Sequence, residues 1–441
     1  MNNSNRVRWT TVAFLAVVLA ATAAPVQATH SNSAQVIIDW DQIAQQTVGG
    51  PPFAQARSYA MVSIAMADAV VAIKGKYDPF FAKLSTPIPH GASATAAAAQ
   101  AAHDVLVALV PMNQAALDAA LATSLEGIPP GQRWLGRQVG RRVAAKILAW
   151  RQNDGFAAAN PQPPAFLAST LPGIWQPTVA GDTGLAQFSK LDDVLPFGLI
   201  SPTQFLPVPF PQLESTEYAT DFNDVKDIGS ATSTTRTPRQ TALAQSFAGA
   251  AGPFFNVTTF FRVWHNVARD VSLAEGMSMV DTARLFALLS AAMNDGLQTT
   301  QVSKFVYRLW RPLTAIVSAD TDNNDATVAD ADWLPLLGTP PYPSHASNAS
   351  CLGATAAQTL GNVFGTDNKS FTATWNTGDS PPAVVHAEPY TSFWAMGRDS
   401  GSSRVWGGIH YRFEITASEH ACTQVANYLF DNYMQRRSRH W

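Results

Sequence analysis

The twelve residues Arg57-Ser58-Tyr59-Ala60-Met61-Val62-Ser63-Ile64-Ala65-Met66-Ala67-Asp68 return 227 residues later as Arg284-Leu285-Phe286-Ala287-Leu288-Leu289-Ser290-Ala291-Ala292-Met293-Asn294-Asp295. Arg, Ala, Ser, Ala, Met and Asp coincide without a gap, six positions of twelve. Both copies place small and apolar residues at i, i+3, i+4 and i+7, the pattern of a packed helix face. A period this long indicates a duplicated helical half, because solenoid repeats recur at about 20–50 residues. The chain therefore reads as all-α, two four-helix-bundle-like halves related by internal duplication and sharing one core.

Punctuation by Pro and Gly carries this reading outward. In the first half, helices are expected at 37–48, 53–73, 92–109, 113–124 and 130–152. Gly49-Gly50-Pro51-Pro52, Pro87-Ile88-Pro89 and Pro129-Pro130 separate them. The N-terminal helical half spans 29–157, a Pro-rich connecting wrap spans 158–237, and the second half spans 238–441. Further helices are expected near Ala219 and at 238–249, 256–272, 280–310 and 349–363, with scarce strand signals.

With 14% charged residues and a formal net charge of -3, the chain shows no basic stripe for nucleic acid and no polybasic segment for a membrane surface. Arg6 and Arg8 precede an apolar run from Thr11 to Ala24, followed by Val26-Gln27-Ala28. This is the pattern of a signal peptide over 1–28, so the mature chain is expected to be exported, periplasmic or extracellular. No other stretch is expected to reach the roughly 20 apolar residues of a spanning helix, which implies a soluble mature protein. Two cysteines, Cys351 and Cys422, allow either one disulfide or two buried thiols.

Three late stretches carry chemistry. They are Lys304 with Arg311-Pro312, the run Pro341-Tyr342-Pro343-Ser344-His345-Ala346-Ser347-Asn348, and Ser403-Arg404-Val405-Trp406-Gly407-Gly408-Ile409-His410. Lys304 and Arg311 are expected near the end of a helix stopped by Pro312, on one face and about 10 Å apart. Ser347 or Asn348 is the natural N-cap of the following helix, whose first N–H groups can face an anion. Gly407-Gly408 permits a break that turns Arg404 and His410 inward together. Taken singly, each has an ordinary structural reading: a basic helix end, a routine cap, a buried histidine. Jointly they supply fixed cations, forked Arg donors and an imidazole, the requirements of a tetrahedral oxyanion site.

In this order and spacing, the three stretches resemble the signature of the vanadium-dependent haloperoxidases. The wider superfamily includes type 2 phosphatidic acid phosphatases and bacterial acid phosphatases. The resemblance extends to Trp310-Arg311-Pro312-Leu313-Thr314-Ala315-Ile316, to Ser403 through Glu414, and to the helix from Arg57 to Tyr77. It implies a haloperoxidase-like fold of two four-helix bundles. It further implies that Lys304, Arg311 and Arg404 hold the anion's oxygens with Ser347 and Asn348. His410 would then be the vanadium ligand, or the phosphorus nucleophile of a phosphatase.

The middle stretch departs from the family pattern, in which Pro-Ser-Gly-His or Pro-Ser-Asn-His supplies an acid–base histidine. Here His345 follows Ser344 directly. A gapless register instead puts Ser347 and Asn348 on the Ser-Gly/Asn pair and Ala349 on the histidine. Either His345 reaches in, or the chemistry is altered. The resemblance implies vanadate as cofactor and a peroxidase acting on peroxide and a halide or other small nucleophile. The alternatives are a cofactor-free phosphatase acting on a phosphate ester through a phosphohistidine, and a non-catalytic oxyanion-binding relic.

Overall fold

The computed structural model describes residues 34–159, 169–178, 186, 188–249, 258–376 and 384–437. The expected signal peptide lies outside the described residues, as do 160–168, 179–185 and 187 of the expected wrap. The first half contains α1 (Gln35–Thr47), α2 (Pro52–Lys74), α3 (Ala94–Leu109), α4 (Gln114–Ser124), α5 (Pro130–Arg151) and the single turn α6 (Phe156–Ala159). Then follow α7 (Thr216–Ile228), α8 (Pro238–Ala248), α9 (Thr258–Ala274), α10 (Met279–Tyr307) and the short α11 (Pro312–Val317). The chain continues through α12 (Asn348–Phe364), strands β1 (Phe371–Asn376) and β2 (Val384–Tyr390), α13 (Phe393–Trp406) and α14 (Arg412–Asn432).

The repeat is the centre of the molecule. It lies on α2 and α10, which pack against each other, and the equivalent hydroxyls of Ser63 and Ser290 meet at 3.0 Å. Contact between equivalent positions places a local two-fold axis at this pair. The other repeated polar residues do matching work in each half. Asp68 accepts the N–H groups of Phe80, Phe81 and Ala82, and Asp295 accepts those of Phe197, Gly198 and Leu199. Each buried carboxylate thus ties a connecting loop to the core through three hydrogen bonds. Arg57 donates to Arg151 O and Asp154 just past α5, and Arg284 donates to Met434 O just past α14.

Equivalence extends to the flanking helices: α2 packs with α3 and α5 as α10 packs with α12 and α14. In the first half α5 presses so closely on α3 that a Cβ on Gly140 would lie 2.5 Å from Ala97 O. Ala97 stands four residues past the N-cap Ser93, and Gly140 ten past the first residue of α5. At the same offsets in α12 and α14 stand Cys351 and Cys422. These form a disulfide, with Cα atoms 5.3 Å apart.

In keeping with the scarce strand signals, one two-stranded sheet accompanies the helices among the described residues. The antiparallel hairpin β1–β2 pairs Phe371 with Tyr390 and Trp375 with His386, and the alternation of buried Ala373 and Trp375 is its period-two signal. Trp375 drives it onto the core, edge-on to Phe247 at 4.9 Å. Helix α2 is also long and apolar enough to cross a membrane by length and composition, contrary to the expectation of none. Most of its apolar window, 83%, is buried inside this protein against α3 and α10.

Candidate active site

Where α10 ends, Arg308 turns left-handed (φ 57°) and donates its N–H to Lys304 O at 2.8 Å. Pro312 does not stop this helix; it opens α11, and Arg311 is the extended N-cap residue (φ -82°, ψ 155°). Proline disfavours helical backbone in the residue before it and suits a helix's first turn. Lys304 and Arg311 therefore leave two different elements, not one helix face. Both are fully buried, and both stand beside one ring: Lys304 Nζ is 5.5 Å and Arg311 Cζ 5.1 Å from the centre of Tyr342.

Lys304 holds the Pro-rich loop, donating to Ser344 O at 2.7 Å and to Ala346 O. Ser303 adds to this grip by accepting the Ala346 N–H at 3.0 Å. The loop then delivers the N-terminus of α12. Ser347 is the N-cap, accepting the Ser350 N–H at 3.3 Å. Asn348 clamps α12 to α10, its Oδ1 accepting from Thr300 at 2.8 Å and its Nδ2 donating to Gln301 at 2.9 Å. What α12 presents beside Lys304 is the positive end of its dipole. Ala349 is buried among apolar side chains, and its carbonyl accepts from Ser400 on α13.

Helix α13 carries Arg404 and ends at Trp406. Gly408 then adopts φ +76°, and a Cβ there would sit 2.4 Å from Gly229 O. The left-handed turn and close approach admit glycine alone, and they swing His410 back toward the cations. Burial pulls the Arg404 guanidinium down to about 9. It donates to Ser403 Oγ at 2.9 Å and Ala244 O at 3.2 Å, and its charge acts on both Tyr342 and His410.

His410 is oriented by Glu414, one turn along at the start of α14. Its Nδ1 donates to Glu414 Oε2 at 2.9 Å. The same oxygen accepts from Ser344 Oγ at 2.9 Å and from Tyr411 N at 2.8 Å. With Nδ1 protonated, Nε2 carries a lone pair, and Arg311 Nη1 donates to it at 3.1 Å. Burial, then the charges of Arg311, Lys304 and Arg404, hold His410 well below the usual imidazole range. Burial lowers Lys304 and raises Glu414, the latter to about 7. Sequence reasoning ended at His410 and missed Glu414, although a carboxylate at i+4 on a helix's first turn was its available signal.

His345 is fully buried too, but its one N–H is committed. Nε2 donates to Val208 O at 2.8 Å, and Nδ1 lies 4.0 Å from Glu414 Oε1. Tyr307, Phe210 and Phe413 wall its ring at 5.1, 5.9 and 6.2 Å. Burial, with Lys304 adding to it, brings its pKa down to about 4, so it is neutral near pH 7.

The residues present suit a tetrahedral oxyanion. Arg311 Nη2 is buried without a protein hydrogen-bond partner, on the same guanidinium that meets the His410 lone pair. One imidazole among cations at a helix N-terminus is the donor set of an anion such as vanadate.

Comparison with known proteins agrees with this geometry. Residues 284–439 match the family model of the VCPO second helical-bundle domain. Vanadium chloroperoxidase from Curvularia inaequalis is 23% identical over 239 residues, 42% of this chain and 38% of that protein. The match thus spans well under half of that relative's length. A crystal structure of a bacterial vanadium-dependent iodoperoxidase superposes with a TM-score of 0.76 at 23% identity, covering 95% of this chain and all of that one. A holo-type bacterial vanadium-dependent chloroperoxidase gives 0.70 at 17% identity, covering 92% and 98%. Duplicated bundles, ordered cation stretches and the matched second bundle together support, for this chain, the superfamily of the vanadium-dependent haloperoxidases, whose fold it shares.

Proposed function

We propose that this chain is an exported haloperoxidase-like enzyme that binds vanadate and uses peroxide to oxidise a halide or another small nucleophile. The observation that carries this reading is the orientation of His410, whose Nδ1–H is fixed on Glu414 and whose Nε2 lone pair faces Arg311. His410 Nε2 would ligate vanadium, while Lys304, Arg311 and Arg404 would balance the anion's charge. Bound vanadate supplies a Lewis acid that polarises peroxide for two-electron oxidation of the nucleophile. Glu414 keeps the imidazole in the right tautomer throughout, a carboxylate behind a ligand histidine. The dry walls of the site strengthen each of these charge interactions. The Cys351–Cys422 disulfide supports export, since such bonds persist in oxidising compartments.

A phosphatase reading would need an acid to protonate the departing alkoxide. His345 is neutral and its N–H is given to Val208, while Ala349 has nothing to donate. The test is direct. Purified protein loaded with vanadate should oxidise iodide, the easiest common halide to oxidise, in the presence of hydrogen peroxide, and Arg404→Ala should lose that activity. Vanadate should also raise the melting temperature of the unmodified chain by binding its native state. Hydrolysis of p-nitrophenyl phosphate without any peroxidase turnover would overturn the reading in favour of the phosphatase. Neither activity, with vanadate still bound, would leave an oxyanion-binding relic.

A further inference from the structure

The Pro-rich loop places the ring of Tyr342 beside two of the site's cations, Lys304 and Arg311. Tyr342 is 8% exposed and lies between two prolines whose fixed φ stiffens its backbone. Its carbonyl accepts from Arg311 Nε at 3.0 Å, which anchors the residue to the cradle by its main chain. Lys304 and Arg311 then flank its ring at 5.5 and 5.1 Å. The phenol end lies near the start of α12, where the Asn348 side chain lowers its pKa against the larger effect of burial.

The Oδ1 of Asn348 accepts from Thr300, and its amide donates to Gln301. Its influence on Tyr342 is that of a donor, since it favours the ionised phenol. No acceptor takes the phenol's own proton among the described residues. Burial raises the phenol's pKa against the opposing pull of Arg311 and Arg404, which keeps that proton in place near neutral pH. Of the other groups nearby, Ser344 Oγ donates to Glu414 and His345 Nε2 to Val208, while Ser347 Oγ accepts the Ser350 N–H and keeps its own O–H to donate beside the phenol.

We propose that Tyr342 is a binding residue of the cradle, whose O–H donates a hydrogen bond to the oxyanion held by Lys304, Arg311, Arg404 and His410, supplying the neutral donor that Ala349 lacks. The inference rests on the oxyanion reading of the site and adds to it one neutral donor. The two cations beside the ring and the main-chain bond from Arg311 hold Tyr342 in the cradle. The arrangement gives the anion a donor that survives at pH values where a histidine would have lost its second proton.

Tyr342→Phe tests this, because it keeps the ring and its two cation contacts and removes a single oxygen. Inorganic phosphate binding is measured by titration calorimetry on the unmodified protein and the variant, and vanadate-dependent iodide oxidation beside it. A hydrogen bond to a charged group is worth about 1.5–3 kcal/mol, so the variant's phosphate affinity should fall by roughly 10–100-fold. The near-ultraviolet tyrosine difference spectrum induced by phosphate should disappear with the hydroxyl. Unchanged affinity and an unchanged difference spectrum in a folded Y342F would overturn the role of Tyr342 while leaving the cradle intact. No phosphate or vanadate binding to the unmodified chain would instead remove the cradle itself, and the proposal with it.

Discussion

At His410 the two ring nitrogens have been given opposite duties, and the neighbouring residues enforce the division. Glu414 accepts the hydrogen bond from Nδ1–H, and burial, with the surrounding cations, keeps a second proton off Nε2. His345, 4.0 Å from the other oxygen of the same carboxylate, has its N–H turned outward to Val208. His410→Ala should therefore abolish turnover, whereas His345→Ala should change it less than tenfold. A loss approaching the 10²–10⁴-fold of general acid–base catalysis in folded His345→Ala would make His345 the proton donor after all. Single-turnover assays with matched vanadate loading separate these outcomes. Lys304, Arg311, Arg404 and His410 were legible as candidates only jointly, because the three stretches in order and spacing resemble the haloperoxidase signature. Glu414 and Tyr342 were not, since a carboxylate on a first helical turn and an aromatic between prolines usually have bland structural duties.

Elements show a similar split. Helices with Pro at N1 and Gly past the last turn, such as α2 with Pro52 and Gly75, start and stop within about two residues of the sequence reading. The reading failed where one residue type has two meanings: Pro312 served as a stop in the sequence and as a start in the fold. In the first half, α3 and α4 are joined by a charge relay of a different kind. His103 Nδ1 meets Asp104 and Nε2 meets Asp118 on α4, both at 2.8 Å. Burial draws the imidazole's pKa down, but the hydrogen bonds and charges of the two carboxylates more than reverse this, and the net shift is upward from 6.5. A folded pKa above the unfolded one gives stabilisation that is complete below 6.5 and disappears as pH rises through the raised value. In urea unfolding, the stability gap between the unmodified chain and His103→Gln should be widest at about pH 6 and close by about pH 9. A gap that does not change with pH would show that the contact is held by packing instead.

On the scale of the whole molecule, two similar halves have unequal duties. Both use their repeated Arg and Asp to bind a loop and a helix end, which is why the duplication could be read from twelve residues. The oxyanion cluster belongs to the second half, at the meeting of α10, α12 and the turn before α14. Its assembly was not legible beforehand, because it depends on the left-handed turns at Arg308 and Gly408 and on a loop gripped by Lys304. The disulfide that takes the place of the Ala97–Gly140 contact has a consequence for a chain cut between its cysteines. The 71-residue span between Cys351 and Cys422 holds the β-hairpin, Arg404 and His410. A protease that nicks the hairpin severs the peptide chain but leaves its two ends clasped through sulfur, four residues from Ser347 on one side. On a non-reducing gel the nicked chain should run as one species, splitting only after thiol treatment.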